Sequence, residues 1–206
     1  MSRKSLVSKR REQIINGLYK SIVKKGFMDT SISDISRHSK VVRGIIHYYF
    51  KNKDEILSEL MRSLSRSYIT GMKKYISRFN DPVDKLNAFV DYHLLINEKT
   101  LYGRTGVWIE YWGRSLRDRE VNKIIFELQN EIRSYLSTII TEGMNDGVFL
   151  KGKDNAVSAI LLAIIEGTML QWRVNKESVN LNDVYSEIKK IINIFKKKGD
   201  YHGKKV

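Results

Sequence analysis

Between Lys9 and Gly26 the apolar residues Ile14, Ile15, Leu18, Tyr19, Ile22 and Val23 recur at i, i+1, i+4, i+5, i+8 and i+9. That spacing gathers them on one face of an α-helix. The period returns in Ile56, Leu57, Leu60, Met61, Leu64, Tyr68, Met72, Tyr75 and Ile76, and no stretch alternates apolar and polar residues as a half-buried strand would. The chain is therefore expected to be all-α, with about nine helices. Its 206 residues are 42% hydrophobic, enough for an ordinary core without covalent staples. Pro82, the one proline, follows Asp81 and reads as the first residue of a helix that Asp81 caps. Further helices are expected at about 83–98, 102–115, 119–145, 154–175 and 181–197. Gly26 and Gly147 are placed to end helices, and Asp154 to open one.

The first 55 residues are built differently, from short pieces. "SISD" at 31–34 has the spacing of a capping box, and the helix it opens runs to about Ser39. After a break at Lys40 and Val41, "VRGIIHYY" makes a third short helix, and "NKDE" at 52–55 caps the long fourth one. The expected domains are 1–55, a helix-turn-helix unit, 56–198, a larger helical bundle, and 199–206, a basic disordered tail.

Charge is concentrated at the two ends. Residues 1–55 carry 13 Lys/Arg against 5 Asp/Glu, residues 189–206 carry 7 against 1, and residues 56–188 carry 17 of each. A basic end on a neutral body points to a polyanionic partner. With no cysteine, disulfides, thiolate zinc sites and cysteine nucleophiles are excluded. The histidines 38, 47, 93 and 202 show no metal-ligand spacing, and "GVFLKGKD" at 147–154 has Asp154 where a phosphate loop needs Ser or Thr. No metal, cofactor or catalysis is expected. Met1–Arg11 lacks the apolar centre of a signal peptide, and the longest apolar run, Ala159–Ile165, is short of a membrane span, so a cytoplasmic protein is expected.

A helix of about eight residues, a short turn and a second short helix match a helix-turn-helix, whose second helix enters the major groove. Such a helix must leave one face uncovered, which accounts for the polar-tipped side chains of residues 43–49. Ile35, Val41, Ile45 and Phe50 are expected to pack inward. Arg43 and His47 would read base edges, and Tyr48, Tyr49 and Lys53 would hold phosphates. Gly44 would let the backbone approach closely, and Lys9, Arg10 and Arg11 could follow the backbone or the minor groove. The tyrosines could instead be amphipathic packing against the long fourth helix.

"TSISDISRHSKVVRGIIHYYFKNKDEIL" (30–57) resembles the DNA-binding segment of the TetR family of bacterial transcriptional regulators. Thr30, Ile35, Val41, Gly44, Tyr49, Phe50, Lys53 and Leu57 match its pattern. Ser36, Ser39, Lys40, Val42 and His47 depart from it, and Val42 removes a capping hydroxyl. The resemblance implies a DNA interface of Thr30, Ser31, Val42, Arg43, Gly44, His47, Tyr48, Tyr49 and Lys53. "GVWIEYWGRSLRDREV" (106–121), residues 131–149 and "AILLAIIEGTMLQW" (159–172) are similar to the C-terminal region of BetI-like members.

That resemblance implies a ligand-responsive regulator, expected to be a repressor released from operator DNA by a small-molecule effector. It also implies a homodimer formed by the helices at about 154–175 and 181–197, with no membrane partner. The nearly all-apolar surface of "AVSAILLAIIEGTMLQW" agrees with burial on two sides. Two recognition helices about 34 Å apart would then read a palindrome. Tyr92, His93, Trp108, Tyr111, Trp112, Met169 and Trp172, with Tyr102 nearby, could wall an effector pocket. Adding Glu110 and Glu166 would suit a cation, while a hydrophobic or acidic effector remains open. The other reading is a basic protein that binds nucleic acid or an anionic surface without sequence preference.

Overall fold

The computed structural model describes residues 3–95 and 98–195. The helices are α1 (Arg3–Lys25), α2 (Ile32–Ser39), α3 (Arg43–Tyr49), α4 (Lys53–Ile76), α5 (Pro82–Leu94), α6 (Glu98–Ser115), α7 (Arg119–Asn145), α8 (Asp154–Val174) and α9 (Leu181–Ile194). Among the described residues there is no sheet, only an isolated bond from the Leu150 N–H to the Phe195 carbonyl at 2.9 Å. The expected tail at 199–206 lies outside the described residues.

Local chemistry sets the helix ends. Ser31 and Asp34 form a reciprocal capping box on α2. Asp81 accepts from the N–H groups of Val83 and Asp84, with Pro82 as the first helical residue. Gly26 (φ +80°) and Gly147 (φ +72°) take the left-handed conformation. Asn52 Oδ1 accepts the Glu55 N–H at 2.8 Å. Glu55 in turn reaches back one residue beyond the cap, to the Lys51 N–H. Asp154 opens α8 as its first residue, after Lys153 at the cap position. Its carboxylate accepts from the Ser137 and Thr141 hydroxyls.

The chain forms two compact units, and α4 and α7 each contribute to both. The first comprises α1 to α4 as far as Thr70, with α6 and α7 as far as Gln129. One core joins Ile14, Leu18 and Ile22 of α1, Ile35, Val41, Ile46 and Phe50 to Ile56, Leu57, Leu60 and Met61 of α4, Val107 and Tyr111 of α6, and Val121, Ile124 and Ile125 of α7. Residue 55 is thus no boundary of packing: the apolar face of α4 continues the core begun by α1. The pair α1 and α2 approaches closely at Gly17, where a Cβ would lie 2.7 Å from Ser39 Cβ and 2.8 Å from the Ile35 carbonyl oxygen.

The second unit takes α4 from Gly71, α5, α7 from Asn130, α8 and α9. Met72, Ile76, Leu86, Phe89, Val90, Leu136, Ile139, Leu161, Ile165, Trp172, Ile188 and Ile192 are buried in the structure. Asp91 ties α5 to α9, accepting from the Tyr185 hydroxyl at 2.9 Å and pairing with Lys189 Nζ at 3.0 Å. By length and composition alone α8 could cross a bilayer, which its interrupted apolar runs do not suggest. Leu161, Leu162, Ile165 and Trp172 are buried within the protein.

Candidate nucleic-acid interface and effector residues

The turn between α2 and α3 is tight and strained at one position. Lys40 ends α2 in the left-handed region at φ 57°, where an L side chain costs about 1–2 kcal/mol and glycine almost nothing. Val42 then occupies the α3 cap position without a side-chain hydrogen bond. What holds α3 is burial: Val41, Ile46 and Phe50 are all nearly inaccessible. Ile46, not Ile45, is the inward residue. Ile45 is 42% exposed, beside Val42 at 69% and Tyr48 at 76%. A one-residue step turns the helix by 100°, so a helix this short can bury only one of the two adjacent isoleucines.

Arg43, Gly44 and His47 share the exposed side of α3. A Cβ on Gly44 would meet nothing within 4 Å, so the chain's own packing does not require glycine there. Tyr49 is half-buried, packs against the core, and meets Tyr48 edge to face. Ser31 is exposed but gives its hydroxyl to Asp34 while capping α2.

Three expected contacts are engaged inside the protein instead. Thr30 is 2% exposed, and its hydroxyl donates to the Gly26 carbonyl at 2.7 Å. Lys53 Nζ donates to the Phe27 and Thr30 carbonyls at 3.0 and 2.8 Å and lies 4.2 Å from the Phe27 ring centre. Its pKa is lowered, chiefly by burial. Arg11 donates to the Tyr49 carbonyl at 2.8 Å and stacks over Phe50, while Lys9 and Arg10 remain exposed. The Lys53 ammonium uses two of its three N–H groups on these carbonyls and the Arg11 guanidinium one of its five, bonds that residue spacing alone does not reveal.

The expected effector residues divide between the two units. In the first, Tyr111 is fully buried, its hydroxyl finds no hydrogen-bond partner among the described residues, and burial pushes its pKa well up. Trp108 meets Tyr68 and Tyr111 edge to face, at 6.3 and 6.0 Å, and Trp112 is exposed. Glu110 does not join these rings. It stands two positions after Trp108, a turn of 200°, and its Oε1 would lie 3.0 Å from a Cβ on Gly26.

In the second unit His93 is buried, and its Nδ1–H donates to the Phe89 carbonyl at 2.6 Å. The Tyr92 hydroxyl lies over Gly71, 2.6 Å from where a Cβ would stand. Glu166 and Met169 are half-buried on α8, and Trp172 is buried under Lys176. Among the described residues no group of three or more acidic or histidine side chains is arranged to hold a metal ion.

Residues 14–60 match the model of bacterial regulatory proteins of the tetR family, and residues 82–192 match that of the BetI-type transcriptional repressor C-terminal region. The chain belongs to the TetR family. It is a ligand-responsive DNA-binding transcriptional regulator. A fatty acid metabolism regulator protein of Bacillus subtilis (strain 168) is 27% identical to this TetR-family chain over 82% of it and 86% of that protein. A BetI regulator of Proteus mirabilis (strain HI4320) is 25% identical over 93% and 92%. Among solved structures, a transcriptional regulator from Saccharomonospora viridis in complex with choline superposes with a TM-score of 0.84 at 19% identity, covering 92% of this chain and 98% of that one. FadR from Bacillus subtilis in complex with stearoyl-CoA gives 0.71 at 22%, covering 88% and 96%. At these identities the structural likeness shows the fold. TetR-family regulators bind operator DNA and small-molecule effectors, typically as dimers.

Proposed function

We propose that this protein is a cytoplasmic repressor that binds a palindromic operator as a homodimer and leaves it when a small organic effector enters its helical part. The observation that carries the DNA reading is the exposed side of α3. It presents Arg43, His47 and Tyr48 on a segment with 13 cationic and 5 anionic side chains in its first 55 residues. Arg43 suits a guanine edge, and Lys9 and Arg10 suit phosphates. Residues 1–55 serve as the DNA-reading segment, and 56–198 bind the effector and the second copy.

The homodimer reading rests on α8 and α9. Ile160, Leu170, Val174, Ile191 and Ile194 are exposed on these helices, Val174 and Ile194 at more than 70%. Apolar surface of that kind is stabilised by a second copy of the same helices. For the effector, aromatic rings are available within each unit: Trp108 and Tyr111 in the first, Tyr92 and Trp172 in the second. With Glu110 turned toward Gly26, the case for a cation rests on the second unit, where Glu166 is the acidic residue beside Met169 and Trp172 in sequence, and an acyl compound suits apolar rings as well. The choline and stearoyl-CoA of the two solved relatives are the probes to try. The effector acts by binding the DNA-competent and DNA-incompetent arrangements with different affinity, and α4, which supplies residues to both cores, is the element it would bias.

The test is fluorescence anisotropy with DNA from upstream of the protein's own gene and with a scrambled duplex, over a range of salt. A preference of roughly 10³-fold for the native duplex, with two protomers per site, is expected. Equal affinity for both duplexes that vanishes at moderate salt, repeated with a site selected from random sequence, would replace this reading by nonspecific polyanion binding.

A further inference from the structure

The exposed side of α3 is divided into two rows. With Ile46 fixed inward at 0% exposure, the 100° step per residue sets Val42, Ile45 and Tyr48 along one i, i+3, i+6 line. Arg43 and His47 lie along an i, i+4 line on the other flank, and Gly44 separates the two. The first row is mostly hydrocarbon and the second is made of nitrogen donors. Both are uncovered: Val42, Ile45 and Tyr48 are exposed, and nothing approaches the Cβ position of Gly44.

The protein's own packing gives no reason for the aliphatic row. Ile46, Val41 and Phe50 already fill the core beneath α3, and an exposed isoleucine beside a cluster of cations adds nothing to phosphate affinity. In the major groove the four base pairs differ in hydrogen-bonding edges and in one apolar feature, the C5-methyl group of thymine. An aliphatic side chain can read only that group.

We propose that Val42 and Ile45 read thymine methyl groups, with Ile45 as the principal contact, alongside the base edge read by Arg43. This rests on the reading of α3 as the recognition helix and adds to it the chemistry of the half-site. Each half-site carries a thymine whose methyl group packs on Ile45, and Val42 one turn earlier meets a second. Specificity at these positions comes from apolar contact and involves no hydrogen bond.

The test alters the DNA first, so that protein folding is not at issue. A site is selected from random duplexes with the wild-type protein. Each thymine in turn is then replaced by 2′-deoxyuridine, which removes only the methyl group. At the Ile45 position of one half-site the substitution should weaken binding about fourfold, the equivalent of one buried methylene, and at the Val42 position by a smaller factor. Changing the Ile45 position in both half-sites should weaken it about fifteenfold. The Ile45→Ala protein should bind the thymine duplex more weakly and no longer distinguish thymine from uracil at that position. Val42→Ala should blunt the discrimination at a neighbouring position. A selected site in which every thymine tolerates uracil would overturn the methyl contact while leaving the regulator reading in place. Discrimination that persists in full in Ile45→Ala would overturn the assignment to Ile45, and failure to enrich any sequence would overturn both readings.

Discussion

Lys25 Nζ lies 2.6 Å from Oδ2 of Asp34, and the same oxygen accepts the Ser31 N–H at 2.9 Å. The end of α1 is thereby fastened to the start of α2. The Lys25 ammonium first, then the Ser31 hydroxyl and N–H, hold the Asp34 carboxyl well below the usual carboxylate range. A group depressed in the folded state contributes stability that is complete above its unfolded pKa, near 4, and that is lost as pH falls below that value. Thermal unfolding followed by circular dichroism from pH 7 to pH 3 should show the wild-type protein losing stability below about pH 4. Asp34→Asn should start from a lower Tm at pH 7 and fall less steeply. Parallel curves for the two proteins would mean that this cluster contributes nothing to the pH dependence.

Gly17 and Gly44 are both helical glycines, yet substitution should act on them in opposite directions. At Gly17 a methyl group would sit within 3.0 Å of Ser39 Cβ, the Ile35 carbonyl and the Ser39 N–H. These are atoms of the α2 backbone or fixed to it, so relief requires α1 and α2 to separate. Overpacking of this kind costs about 1–3 kcal/mol, against a gain of about 1 kcal/mol in helix propensity. Gly17→Ala should therefore lower the denaturant midpoint and, by displacing α2, weaken operator binding. An unchanged midpoint would show that the helices part without cost.

At Gly44 the added methyl group meets open space, so only the propensity gain remains. Gly44→Ala should stabilise the protein by roughly 0.5–1 kcal/mol. The same methyl group would stand between α3 and DNA. Operator affinity should fall while the denaturant midpoint rises, and equal or tighter binding by the variant would show that the backbone at residue 44 does not approach the nucleic acid.

Much of this was legible in the amino-acid order. The capping box at Ser31 and Asp34, the Asp81 cap before Pro82 and the left-handed Gly26 are local chemistry, and the helical period fixes which faces of α1 and α4 are buried. The choice between Ile45 and Ile46 was not legible. In a seven-residue helix both fit an inward pattern, and the register shows only in which of them joins the buried cluster, most of whose members are remote in sequence. The destinations of Arg11 and Lys53 were hidden for the same reason. Spacing shows a cation at the edge of a basic segment but not the carbonyls folded beside it. Glu110 was a matter of phase, since proximity in sequence to Trp108 placed it on the opposite side of α6.

Lys53 gives the most direct test of that last lesson. Its Nζ closes the turn between α1 and α2 by donating to Phe27 and Thr30 carbonyls 26 and 23 residues away in sequence. If this is its task, Lys53→Met should lower stability by about 1 kcal/mol, the scale of charge-assisted hydrogen bonds discounted for partial solvent access. It should weaken binding to every duplex alike by loosening the turn that carries α2. The dependence of log K on log salt should keep its slope, because that slope counts phosphates neutralised, at about 0.9 per contact in duplex DNA. Arg43→Ala in the same titration should instead relax the preference for one base per half-site. A slope reduced by about one unit in Lys53→Met, at unchanged Tm, would return the ammonium to the DNA and make the two carbonyl bonds a feature of the unbound protein alone.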